Sequence, residues 1–314
     1  MGAQMSLYIV FPDSTANFMP FSFEYFQPAK YFEREHGAQT CYQKDFFNGL
    51  YSTLTPDDIV IWFIDCKEEE NREKLAACKA RKILRAVDPS KSDRILYKNQ
   101  LSLHEKVNFE AFAICYPNRD HIKFLDSKNI RVIVWPHTLD FKNSKNALKK
   151  SKIYICAGQQ HEIYYPDRWK LSQILLQNFP NEGAFLPHPG FKLDELAHPY
   201  IGEEFLKLLE NFWLMPVGVG INDGLHMKFI EAAYANMLPI GLVPSYIPQE
   251  IADLVPFSNL DPADYVEEEI IQEIHKLFAD THDLVNKVSR YKRFFRENYN
   301  LPIVLGQVAQ QIFK

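Results

Sequence analysis

The stretch 217–250, VGVGINDGLHMKFIEAAYANMLPIGLVPSYIPQE, holds the densest set of residues suited to gripping a charged ligand. Gly218, Gly220 and Gly224 punctuate a turn ahead of a helical pattern. Such a turn lets a ligand approach backbone N–H groups at a helix N-terminus, where the dipole favours phosphate. Lys228, one turn in, could neutralise a diphosphate, and Glu231 could accept from ribose hydroxyls. The two are three apart, so an ion pair on one helix face is the competing reading. Asp223 stands where an N-cap belongs, and Asn236 where a left-handed residue closes a helix, which predicts a helix of about three turns. Leu225, Phe229, Ala232, Ala233 and Asn236 follow the spacing of a core-facing stripe, leaving Met227, Lys228 and Glu231 on the surface.

The run from Asp223 to Gly241, DGLHMKFIEAAYANMLPIG, resembles the EX7E segment of retaining GT-B glycosyltransferases, with Asp223 in place of the first Glu and Asn236 in place of the usual Gly. A second stretch, 135–171, is similar to the interdomain passage of CgeB-like and family 4 glycosyltransferases. There a Pro-His-x-x-Asp end (Pro136, His137, Asp140) leads to a strand, a Gly-containing turn (Gly158) and a Tyr-Pro-x-Arg helix start (Tyr165, Pro166, Arg168). The resemblance implies two Rossmann-like domains facing each other across a cleft, with the donor at the carboxyl ends of the strands of the second domain. It also implies a retaining transfer, for which no protein base is strictly required.

On that footing Gly158 would let a diphosphate approach the first strand-to-helix turn of the second domain, and Arg168 would bind it with a planar pair of donors. The plainer alternatives are a turn glycine and a solvated first-turn arginine. Tyr165, Gly224, Lys228 and Glu231 complete the donor set, and Asp223 divides between N-cap and contact to the donor sugar. Positioned cations and a helix N-terminus can stabilise the leaving diphosphate without a metal, and no DxD motif is present, so no metal or cofactor is expected. From the first domain come Asp88, in the loop DPSKSD, and His137, near the hinge; a turn-forming Asp-Pro and hinge packing are their structural readings. His226 could touch donor or acceptor. The rivals are an inverting enzyme of the same fold, needing a positioned base, and a two-domain nucleotide or sugar binder without transfer.

The elements that must position these groups alternate strand and helix, the pattern of doubly wound parallel sheets. Strands are expected at 6–11, 39–43, 58–63, 82–87, 112–116 and 131–135, then at 153–157, 183–186, 212–219 and 238–243, with helices at 27–36, 71–79, 121–127, 168–178, 202–211, 264–279 and 282–298. The polar, basic run 141–151 reads as the linker between domains 1–143 and 144–292, with a C-terminal helix at about 293–314 crossing back to the first.

A chain of 314 residues, 46% hydrophobic and 24% charged, has room for two globular cores. Its net charge of −5 argues against nucleic acid as a partner. Five scattered cysteines without a CxxC pair point to reduced thiols and a cytoplasmic site. No signal peptide or transmembrane run is read; a formal myristoylation match at Gly2 competes with a buried first strand. The expected partners are a UDP- or GDP-type nucleotide-sugar and a glycan or glycolipid acceptor. Peripheral membrane contact through KVSRYKRFFR, 287–296, is the alternative to a helix face whose aromatics pack inward.

Overall fold

The computed structural model describes residues 5–13, 26–63, 66, 68–86, 95–145, 150–187, 200, 202–220 and 223–314. Contacts divide the chain into two units, 1–136 with 304–314, and 137–303.

The first unit is built on a six-stranded parallel sheet of order β2-β1-β3-β4-β5-β6. Its elements are β1 (Leu7–Phe11), α1 (Phe26–His36), β2 (Gln39–Tyr42), α2 (Gln43–Asp45), α3 (Tyr51–Thr53), β3 (Ile59–Phe63), α4 (Glu69–Ala77), β4 (Arg81–Ala86), α5 (Ile95–Val107), β5 (Ala111–Ile114), α6 (Arg119–Ser127) and β6 (Arg131–Val134). Every residue of β1, β3 and β5 is buried, as expected of parallel strands covered on both faces, which read as unbroken apolar runs. One face carries Val10, Val60, Trp62, Leu84 and Phe112 in a continuous core.

The second unit holds β7 (Lys152–Ala157), α7 (Pro166–Asn178), β8 (Gly183–Leu186), α8 (Glu203–Leu209), β9 (Phe212–Pro216), α9 (Met227–Tyr234), β10 (Leu238–Ile240), α10 (Gln249–Ala252), α11 (Glu267–Ala279) and α12 (Thr281–Asn298). Its sheet is parallel, of order β10-β9-β7-β8. The last helix, α13 (Leu301–Ile312), starts in the second unit and from Val304 belongs to the first.

The strands and helices anticipated from sequence are present, with ends shifted by a few residues. Helix α5, the helical turns at 43–53 and the short α10 were not anticipated, and the C-terminal helix read from about 293 begins at Leu301, after α12 ends at Asn298. In α5 the inward positions are Gln100, Leu103 and Val107, all buried, and a glutamine at the first of them interrupts the apolar period on which a helix is recognised. In α12 the aromatics Tyr291 and Phe295 do pack inward, and Lys292 turns in with them. Its Nζ donates to the Asn236 side chain at 2.9 Å, tying α12 to the end of α9, where Asn236 has the left-handed backbone expected (φ 55°).

Candidate functional site

The carboxyl ends of β7 and β9 bring together side chains from two strand-to-helix connections. After β7 the chain turns at Gly158, whose φ of +87° suits glycine. A Cβ there would lie 3.0 Å from Lys228 Cε and 3.2 Å from Arg168 Nη1, so the two cations converge over a bare stretch of backbone. Arg168, near the start of α7, is 3% exposed. Its Nη1 donates to the Gln159 carbonyl at 3.3 Å, and its guanidinium carbon lies 4.4 Å from the Tyr165 ring centroid. Stacking on the aromatic face and a carbonyl acceptor hold the planar fork in place. Arg168 is therefore a buried group with fixed geometry, and the reading of it as a solvated first-turn residue is corrected.

Asp167, unremarked in the sequence, is the acid beside this cation. It is 1% exposed. Burial pushes its pKa up to about 6, opposed by the backbone N–H and the charge of Arg168 and by the Val219 N–H. The carboxylate packs so closely on Gly218 that a Cβ there would lie 2.1 Å from Oδ1. Gly218 is thus needed for close approach, which couples the loop after β9 to the start of α7. The signal available in the sequence was the acid next to Arg168 in the helix-opening Tyr-Pro-Asp-Arg; an acid in a first turn is common enough to pass as a helix-end charge.

Lys228 and Glu231 form the ion pair weighed from their spacing, with Nζ 2.5 Å from Oε2. Lys228 Nζ also lies 4.5 Å from the Phe205 ring centroid. Glu231 was expected on the surface and is instead 4% exposed. It tolerates burial because the ammonium satisfies it, while α8 and α12 pack against α9. The core stripe is as expected: Leu225, Phe229, Ala232, Ala233 and Asn236 are all buried.

Asp223 is corrected as an N-cap. It has left-handed backbone (φ 49°), and its carboxylate accepts from the Ser245 N–H at 2.9 Å and the Ser245 hydroxyl at 2.5 Å. With that carboxylate drawn to the loop after β10, α9 starts later, at Met227 with His226 as its N-cap residue, and has 8 residues. Gly224 N donates to the Val219 carbonyl at 3.0 Å, closing the turn. His226 Nε2 donates to the same carbonyl at 2.9 Å, and its ring meets Tyr165 edge-on at 5.2 Å. His137 opens the second unit and is half-buried. Asp88 lies outside the described residues.

Gln160, two residues past Gly158, is a further candidate that sequence reading missed: both ends of its side-chain amide are buried without a partner among the described residues. Two adjacent glutamines after a strand were the available signal. Among the described residues no group of three His, Cys, Asp or Glu is set to hold a metal ion, and no helix is long and apolar enough to cross a membrane.

The sequence matches no family model and no curated protein. Solved structures do match. The α-glucosyltransferase bound to UDP and a 13-mer DNA is 10% identical, covers 99% of this chain and 100% of its own, and superposes with a TM-score of 0.65. A putative UDP-N-acetylglucosamine 2-epimerase from Listeria monocytogenes is 11% identical over 99% of this chain and 96% of its own, with a TM-score of 0.58. TarM of S. aureus, in complex with Fondaparinux, α-GlcNAc-glycerol and UDP, is 13% identical over 83% of this chain, with a TM-score of 0.56; the chain matches 56% of TarM's length. At these identities the likeness is one of fold: an α/β chain with the two Rossmann-like units of the GT-B class.

Proposed function

We propose that the protein is a GT-B glycosyltransferase that moves a sugar from a nucleoside-diphosphate sugar to an acceptor hydroxyl, with the donor bound in the second unit. The observation that carries this reading is the convergence of Arg168 and Lys228 over the backbone at Gly158. Two cations facing a surface without a Cβ match a diphosphate, whose charge grows as the bond to the sugar breaks. Fixed cations stabilise that charge without reorganising and without a metal.

In this reading the diphosphate lies against Gly158 and the turn at Gly224, held by Arg168 and Lys228. Tyr165 keeps the guanidinium in plane. Glu231 exchanges its ion pair with Lys228 for the ribose hydroxyls, and Gln160 offers a donor and an acceptor to the donor molecule. Asp223 contacts the donor sugar, while His137 and Asp88 serve the acceptor side. Transfer is retaining, the donor is of UDP or GDP type, and the acceptor is a glycan or glycolipid reached in the cytoplasm, with peripheral membrane contact where the acceptor is a lipid. The solved proteins of this fold that carry UDP are consistent with a uridine donor.

The test is a thermal-shift series with UDP, GDP, ADP and CMP, with and without magnesium, on the wild type, Glu231→Ala and Arg168→Gln. A ligand that binds only the folded state raises apparent stability. One nucleotide is expected to shift the wild type by several degrees regardless of magnesium, and neither variant. No shift with any nucleotide would sink the donor site. Donor hydrolysis and transfer assays then separate an enzyme from a binder, and the anomeric configuration of the product separates retention from inversion.

A further inference from the structure

The first unit contains a buried cation that the proposed donor site does not use. Arg85, 1% exposed, lies near the carboxyl end of β4 in the interior of the six-stranded sheet, registered between Phe63 of β3 and Ala113 of β5. Its Nη1 donates to the Ala113 carbonyl at 3.3 Å, and its guanidinium carbon lies 4.8 Å from the Trp135 ring centroid. The ring beside it is itself packed on aromatics: Trp135 meets Phe63 edge-on at 5.9 Å and Phe32 at a tilt at 5.5 Å. Arg85 Nε is buried without an acceptor, and no carboxylate among the described residues pairs with the side chain.

The same sheet pairs its other arginines. Arg81, four residues earlier on β4, and Arg131 of β6 each lie 2.7 Å from Glu110. Arg85 is the exception, and arginine cannot relieve the cost of burial by releasing its proton. A guanidinium removed from water with one carbonyl for company is incomplete. Its position, at the carboxyl end of a parallel sheet, is where open α/β units take their ligands. The planar fork matches the paired oxygens of a carboxylate, phosphate or sulfate.

We propose that Arg85 anchors an oxyanion site in the first unit, which recognises a carboxylate, phosphate or sulfate on the molecule that this unit binds. The site stands independently of the transferase reading; only the step from that molecule to the sugar acceptor, which would then be an acidic one, rests on it. The stack on Trp135 supplies a local reporter, since an anion drawn to the guanidinium changes the field at the indole.

The experiment is a titration of the full chain with sodium phosphate and sodium sulfate at constant ionic strength, following tryptophan emission and thermal stability. It is run on the wild type, Arg85→Met, Arg85→Lys, Trp135→Phe and Lys228→Gln. Saturable emission changes are expected in the wild type and Lys228→Gln, lost in Trp135→Phe, at least tenfold weaker in Arg85→Lys, which keeps the charge but not the fork, and absent in Arg85→Met, where any thermal shift that remains comes from the diphosphate site. Should Arg85→Met fail to fold, Arg85→Lys decides alone. Binding unchanged in the Arg85 variants, or abolished by Lys228→Gln, overturns the proposal. So does the absence of saturable binding in the wild type; if Asp65→Asn, Asp88→Asn or Asp93→Asn then creates it, an acid of the chain itself fills the fork. A phosphate response without any nucleotide response leaves this site standing and removes the donor site instead.

Discussion

Each unit buries one arginine against an aromatic ring at the carboxyl end of its sheet, and the two differ in the charge beside them. Arg85 stacks on Trp135 at 4.8 Å and donates to a carbonyl at 3.3 Å; Arg168 stacks on Tyr165 at 4.4 Å and donates to a carbonyl at 3.3 Å. The local device for fixing a guanidinium is the same. Arg168, however, shares its surroundings with the buried Asp167, whereas Arg85 has no acid among the described residues. The second unit places a buried carboxylate within electrostatic reach of its cation and adds Lys228 with its own partner Glu231. The first leaves its cation to be matched from elsewhere.

Deleting each arginine is the strongest way to break this comparison. Arg168→Ala empties a buried site and removes the positive charge that opposes the rise of the Asp167 pKa, a loss of about 2–4 kcal/mol of stability, since truncating a buried side chain leaves a cavity and the nearby buried acid loses its favourable field. Arg85→Met strands no opposite charge and fills similar volume, so in buffer free of oxyanions it is expected to be neutral or stabilising by about 1–2 kcal/mol. Urea unfolding of both variants measures the difference. Equal losses would mean that Arg85 is compensated after all.

A smaller intervention moves the acid without removing the cation. Gly218→Ala places a Cβ 2.1 Å from Asp167 Oδ1, so the loop after β9 and the start of α7 must separate. A stability loss of about 1–3 kcal/mol is expected, in the range for overpacking. Nucleotide affinity should fall with it, because the same displacement carries Arg168 away from Gly158 and Lys228. Calorimetric titration with the nucleotide found in the thermal series checks this; unchanged affinity would show that the coupling between the two loops does not reach the site.

The two arginines also differ in how far the sequence announced them. Gly158, Arg168 and Lys228 sat in stretches whose resemblance to known motifs suggested a role, and the alternation of strands and helices made both parallel sheets readable. Glu231 was misplaced because a three-residue spacing to a lysine suits a solvated surface as well as a buried pair. Asp223 was misread because a capping acid is recognised by local position, while its carboxylate went to Ser245, 22 residues away. Asp167 and Arg85 could not be singled out. One looks like a helix-end charge, and the other stands in KILRAV, where an alternating strand would be expected to show a charge to solvent. Only the covering of both faces of β4 reveals that this arginine is inside. Burial against non-local partners is the information that period and motif do not carry.

Proton linkage gives the mildest and most local test. Burial raises the Asp167 pKa to about 6, with Arg168 and the Val219 N–H pulling the other way, against about 3.9 in an unfolded chain. Between those values the folded protein holds a proton that the unfolded chain has released, so stability falls as pH rises from about 4 to 6 and levels off above. The full effect is at most about 3 kcal/mol. Other acids slope the opposite way: Glu110, held below the usual carboxylate range by Arg81 and Arg131, adds stability as pH rises through the acid range. The quantity to measure is therefore the difference between wild type and Asp167→Asn, which removes the titrating group and keeps Glu110 in both chains. That difference should shift in favour of the variant between pH 4 and 6, whereas Arg85→Met, whose arginine has no acid beside it among the described residues, should run parallel to the wild type across the same range. If Asp167→Asn also runs parallel, the carboxylate is solvated in solution, and the charge contrast between the two arginines disappears with it.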